Sequence, residues 1–181
     1  MLATHKSSVS IFDLGSPASA GLVEVAENGY GNPLADSLST LPQAFEAVVE
    51  TQPIPPPTYP YHPVTFNISS RGHFGRFSMV STLVNPKDAF LGIDTVMLPR
   101  RRGSSLTYHA VAYNAGSENN NQECAYVPGP ACPEGSGNAR DESGVEGFVY
   151  IHNRVHQIGD LSPTNNDWHN PVAKAVMTRL R

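Results

Sequence analysis

The residue pattern predicts an all-β protein, an antiparallel β-sandwich with one short helix near its N-terminus. Three observations carry that expectation. Several short segments alternate apolar and polar side chains, the period of a half-buried strand. Between them, 15 glycines and 16 prolines punctuate 181 residues, so the regular elements must be short. Apolar residues at clear helical spacing occur only near the start of the chain.

Taken in order, residues 8–15 (SVSIFDLG) mix β-branched and apolar side chains and read as the end of a strand or an extended lead-in. Ser16 and Pro17 then offer a cap and a proline at the first helical position. Ala18, Leu22, Val25 and Ala26 follow at helical spacing up to Asn28 and Gly29, which predicts an amphipathic helix over 18–27. Asn32-Pro33 reads as a helix breaker, with a brief turn around 34–38 and a strand beginning within 44–49. Residues 53–63 (PIPPPTYPYHP) hold six prolines in eleven positions, which enforces extension and bars a central strand. That segment reads as a rigid surface connection, with recognition by a proline-reading domain as the alternative. Strands are expected beyond it at 64–70 (VTFNISS), 76–84 (RFSMVSTLV), 90–98, 107–113 (TYHAVAY), 148–153 and 172–180. In the last of these both faces are mixed, so its period is the weaker one. No fixed repeat and no shift in composition marks a boundary, which predicts a single domain over 1–181 with its strands packed as two sheets around one core.

Charge and composition then exclude classes of function. The net charge of -4 and pI ≈ 5.9 argue against nucleic acid, whose phosphates require a clustered basic surface. Arg100, Arg101 and Arg102 form the only basic run, followed by Gly103, Ser104 and Ser105. A solvated hairpin turn accounts for it, and contact with a heparin-like chain or an anionic lipid is the alternative. No stretch approaches the roughly 18 uninterrupted apolar residues of a membrane span. Residues 1–10 lack the charged and apolar regions of a secretion signal. Cys124 and Cys132 lie in a Gly- and Pro-rich context (ECAYVPGPACPEG) that suits a local disulfide. A zinc site would want two more ligands nearby, and a redox pair a CxxC spacing. A disulfide implies maturation in an oxidising compartment, extracellular, on the cell surface or periplasmic.

Nothing positive points to an enzyme. There is no GxSxG elbow, neither cysteine sits in an evidently electropositive setting, and the acidic residues show no recognisable glycosidase pair. Of seven histidines only His152 and His156 have a metal-like i, i+4 spacing, and they follow a strand-like run without an adjacent catalytic glutamate. The oxygen-rich segments NPKDAF (85–90) and AYNAGSENNN (112–121) are more informative, because each lies where a predicted strand ends. Calcium takes six to eight hard oxygen ligands in flexible geometry, and Asp88, Asn114 and Glu118 are the natural donors. The same Asx and Gly clusters also make ordinary turns, so spacing alone leaves both open.

Residues 77–98 (FSMVSTLVNPKDAFLGIDTVML), then AYNAGSE, then WHNPVAKAVMTRL, resemble the spondin N-terminal domain family in order and approximate spacing. Residues 2–34 and the lengthened, Cys-bounded loop resemble bacterial members. The resemblance implies a β-sandwich similar to calcium-dependent phospholipid-binding domains, with one Ca2+ at a loop end held by Asp88, Asn114 and Glu118. Asn114 stands where the family carries an acid, which removes one negative charge from the site. Asp94 matches the family's GLDS-like position and is expected to support the loop by hydrogen bonds. The implied function is a secreted adhesion or surface-binding module that contacts an extracellular protein, glycan or lipid surface. A structural subunit of an extracellular assembly is the competing expectation. The chain begins almost inside the segment matching an early family strand, which points to a truncated start, to a strand and signal outside this sequence, or to an open sheet edge available for self-association.

Overall fold

The strand β1 (Leu2–His5) is buried at every position, which so short a strand achieves only inside a sheet covered on both faces. The computed structural model describes residues 1–54, 63–85, 87–127, 131–132 and 139–181. In it β1 pairs antiparallel with β2 (Ala44–Val48) on one side and β3 (Arg76–Thr82) on the other. β3 pairs with β4 (Ala89–Met97), and β4 with β5 (Ser105–Asn114). The sheet order is β2-β1-β3-β4-β5-β6, where β6 (Tyr150–Ile151) pairs with the end of β5. β7 (Ala173–Thr178) pairs with the first part of β5, from Ser105 opposite Thr178 to Ala110 opposite Ala173. Every pairing is antiparallel, as an all-β chain rich in turns requires.

Alternation along these strands builds a core on each face. Ala3, Val80 and Phe90 point to the side covered by the helices α1 (Ala20–Asn28) and α2 (Asn32–Ser39), where they meet Leu22, Val25, Leu34 and Leu38. Leu2, Phe77, Met79, Leu91 and Ile93 point the other way, against Phe66, Ile68 and the inward residues Ala173, Ala175 and Met177 of β7. Six strands share one hydrogen-bonded path, β7 pairs with β5 off that path, and the second layer over the β1-β3-β4 face comes from β7 and residues 64–70.

Several elements differ from expectation for identifiable reasons. Helix α1 starts at Ala20, because Ser19 and not Ser16 supplies the cap, its hydroxyl accepting from the Leu22 N–H. Asn32-Pro33 predicts a break where the structure has helix α2. Pro33 instead lies in its first turn, where a missing N–H leaves no bond unmade, and Leu34, Ala35 and Leu38 bury on the core. Residues 64–70 keep the expected alternation, Val64, Phe66 and Ile68 being half-buried, yet form no ladder. They are tied to β1 through Thr4, whose hydroxyl donates to the Ser69 carbonyl, and to the edge strand β2 through Glu46, which accepts from the Ser69 N–H. Residues 8–15 form an irregular loop, and the expected strand over 148–153 contracts to Tyr150–Ile151. β1 has partners on both sides, so the open edge expected beside the N-terminus is absent there. The proline-rich expectation falls largely on 55–62, outside the described residues. A third helix, α3 (Pro163–Asn166), precedes β7.

Candidate functional site

The pairing of Ala89 with Asn114 puts the start of β4 beside the end of β5, and so places Asp88 against the loop that follows Asn114. The Ala115 N–H donates to the Asp88 carbonyl at 2.9 Å. The chain then reverses at Gly116, whose φ of +67° suits glycine and whose missing side chain leaves room for the Phe148 carbonyl. Asp88 itself adopts φ 45°, a region that aspartate tolerates better than most residues. The three sequence-predicted residues thus come together: Asp88, Asn114 and Glu118 are 1%, 0% and 2% exposed.

Their polar atoms are bound chiefly to one another and to backbone. Asp88 Oδ1 accepts from Asn114 Nδ2 at 2.6 Å, and Oδ2 accepts from the Ser117 and Glu118 N–H groups at 3.0 and 3.1 Å. Asn114 Oδ1 accepts from the Gly116 N–H. Glu118 Oε1 lies 2.9 Å from Lys87 Nζ, and both side chains are buried. Lys87 also sits over the Tyr126 ring at 4.5 Å and donates to the Ala139 carbonyl. Arg140 approaches the same glutamate at 3.5 Å and pairs with Glu27 at the end of α1, 2.9 Å away. Next to this cluster Asp141 accepts from Asn119, Asn121 and Ser143, which orders the asparagine-rich loop.

Burial dominates the local electrostatics. It pushes the Asp88 carboxyl up to about 8, against the opposing pull of the Ser117 N–H and the Asn114 amide. It lowers the Lys87 ammonium, which the nearby Asp141, Asp88 and Glu27 carboxylates pull back up. Bonds from Ser143 hold Asp141 below the usual carboxylate range. Of the charged partners, only Lys87 was adjacent to a singled-out residue in the sequence. Arg140 and Asp141 lie beyond the Cys-bounded loop, and no local pattern connects them to Asp88.

As the side chains stand, Asp88, Asn114 and Glu118 do not offer a calcium ion a free set of oxygens. Both Asp88 oxygens and the Asn114 amide oxygen already accept N–H bonds, while Glu118 Oε1, which accepts no hydrogen bond, faces the Lys87 ammonium, and Asn85 Oδ1, Ser117 Oγ and Asn120 Oδ1 nearby in sequence are buried without a partner. An ion needing six to eight oxygens would have to displace several of these partners. Among the described residues no three His, Cys, Asp or Glu side chains converge as a metal site.

The other singled-out residues sit elsewhere. Asp94 supports a loop, but a different one: it accepts from Ser10 Oγ and the Ile11 N–H. His152 is buried edge-on against Trp168, and burial lowers its imidazole to about 4, whereas His156 is exposed. Cys124 and Cys132 form the predicted disulfide, and Cys132 packs with Val127, Val155 and Leu161. Among the described residues no helix is long and apolar enough to cross a membrane.

A second feature was not anticipated as a unit. Residues 63–77, the end of β4 and residues 173–181 border an open cleft of ≈ 1610 Å³. Its floor is apolar, with Phe66, Ile68, Phe77 and Met79, and it is lined by Arg71, Arg76, Arg100, Lys174, Arg179 and Arg181. These are half of the chain's 12 lysines and arginines, and none of the lining residues is acidic. The cations that form ion pairs among the described residues are Lys87, Arg140 and Arg154, all outside the cleft.

No curated protein matches the sequence. The Spondin_N family model matches residues 1–123, a span that holds β1 through β5, the Asp88 turn and the loop from Asn114 to Glu118. The chain therefore belongs to the spondin N-terminal domain family.

Proposed function

We propose that this chain is an extracellular binding module, not an enzyme, and that it adheres to an anionic lipid surface through the cleft beside β7. Family membership and the Cys124–Cys132 disulfide point to an extracellular domain. The observation that supports the binding mode is the gathering of six cations around an apolar floor in a chain whose net charge is -4. Val176 and Leu180, 56% and 66% exposed, stand on the same rim. Cations flanking exposed apolar side chains match the boundary between acidic headgroups and acyl chains. Arg100, Arg101 and Arg102 lie in the exposed turn between β4 and β5, as the turn reading expects, and Arg100 lines the cleft.

Vesicle flotation tests this. Vesicles of phosphatidylcholine alone would be compared with vesicles containing about 30% phosphatidylserine, in about 0.1 M and about 0.5 M salt. Binding is expected only to the acidic vesicles and should weaken strongly at the higher salt. Reversing Arg100 and Arg179 to glutamate should lower affinity by roughly tenfold or more, since each basic residue near such a surface is worth about 1 kcal/mol. Equal binding to both vesicle types, or binding only to a soluble sulfated glycan, would overturn the lipid reading.

A further inference from the structure

The loop cluster around Asp88 poses an electrostatic problem that its neighbours must solve. Glu118 is 2% exposed, and a buried carboxylate is strongly unfavourable without a cation beside it. The ammonium of Lys87, itself 5% exposed, lies 2.9 Å from Glu118 Oε1. Lys87 is adjacent in sequence to Asp88, and the turn that sets Asp88 at φ 45° also delivers the lysine to the centre of the cluster. Arg140, the other cation present, is 48% exposed, stands farther away at 3.5 Å and is shared with Glu27 and Glu142.

We propose that the Lys87 ammonium is this domain's built-in cation: it holds the Asp88–Asn114–Glu118 loops together in the role a divalent ion would otherwise serve, so that the domain folds and orders these loops without calcium. The hydrogen-bond inventory agrees. The two Asp88 oxygens accept three N–H bonds and the Asn114 oxygen accepts a fourth, whereas the buried Glu118 Oε1 accepts no hydrogen bond and is met by the Lys87 ammonium. A monovalent ammonium suffices for that single carboxylate, and the neutral Asn114 amide adds no further negative charge beside it. The Tyr126 ring 4.5 Å from Nζ and the Ala139 carbonyl at 3.4 Å complete a seat for an ammonium group rather than a coordination shell.

The test is thermal unfolding of the full chain with excess chelator and with about 5 mM CaCl2, well above the affinities typical of extracellular calcium modules. Three proteins would be compared: wild type, Lys87→Met, and the double variant Lys87→Met/Glu118→Gln. Wild type should melt at the same temperature in both buffers and give no calcium heat by calorimetry. Lys87→Met strands the glutamate and should fall by roughly 10 °C in chelator. The double variant, which needs no cation, should recover most of that loss. A wild-type Tm several degrees higher in calcium would overturn the proposal, as would a Lys87→Met protein as stable in chelator as wild type. If Lys87→Met does not fold at all, the wild-type calcium comparison and the double variant still decide the matter.

Discussion

Replacing Asp94 by alanine should detach the loop over residues 8–12 from the sheet. The register between β3 and β4 slips after Phe77: Phe77 faces Val96 and Met79 faces Ile93, so Ser78 opposes both Asp94 and Thr95 in a bulge. Thr95 takes φ 52°, an unfavourable value for a β-branched residue. The bulge turns the Asp94 carboxylate toward the loop, where it accepts from Ser10 Oγ at 2.7 Å, the Ile11 N–H at 3.1 Å and Ser78 Oγ at 2.6 Å. Ser78 Oγ in turn contacts the buried His5 Nε2 at 2.7 Å and accepts from the Thr95 N–H at 2.8 Å. Hydrogen bonds to a charged group are worth about 1.5–3 kcal/mol each. The Ser10 bond is exposed and counts for little, and after truncation the Ser78 hydroxyl can turn to His5. The stranded Ile11 N–H and the weakened bulge leave a loss of about 2–4 kcal/mol, or roughly 5–15 °C in Tm. Urea unfolding followed by the fluorescence of the single tryptophan, Trp168, reads the free energy. Amide exchange at Ile11 reads the local release. Asp94→Asn, which keeps one acceptor oxygen, should lose about half as much. An Asp94→Ala protein within about 0.5 kcal/mol of wild type, with Ile11 still protected, would refute the role assigned to this carboxylate.

Two further outcomes follow from buried groups. His152 is held neutral by burial, with its imidazole lowered to about 4. The unfolded chain therefore binds a proton that the folded chain does not between pH 4 and 6.5, so stability present above pH 6.5 is lost as pH falls toward 4, by about 3 kcal/mol at most. Urea titrations across that range should show a shallower pH slope in His152→Phe, and an unchanged slope would count against this origin. Gly116→Ala meets both a φ of +67° and the Phe148 backbone, and should cost about 3 kcal/mol or more or prevent folding. A thermal melt within a few degrees of wild type would show that the loop after Asn114 can rearrange.

Much of this architecture is written in short-range pattern. Alternating side chains located β3, β4, β5 and β7 because strand period depends only on which face a neighbour two residues away occupies. Asp88, Asn114 and Glu118 were legible for a related reason: oxygen-rich residues just outside two antiparallel strands must lie at a sheet end, and a single register, Ala89 opposite Asn114, brings those ends together. The ring closed by Cys124 and Cys132 was equally local. Helix α2 was missed because Pro33 reads as a breaker until Leu34, Ala35 and Leu38 find the core, and because α1 admits α2 closely at Gly21, where a Cβ would stand 2.8 Å from the Leu34 Cα. Residues 64–70 carry a strand's period without a partner to pair with.

What the tertiary structure alone decided is which charges meet. Lys87 could be read only as a neighbour of Asp88 until the loop from β5 carried Glu118 to it and the chain beyond the disulfide returned with Arg140. The six cations of the cleft are scattered from residue 71 to residue 181, and no sequence window contains them. Turn and strand preferences act over a few residues and can be read from neighbours. Ion pairs and clefts depend on the register of distant strands, where one residue of slip turns a side chain to the opposite face. The strands β3, β4, β5 and β7, the disulfide and the gathering of Asp88, Asn114 and Glu118 therefore belong to the sequence, whereas the central strand β1 and the partners that occupy that gathering belong to the fold.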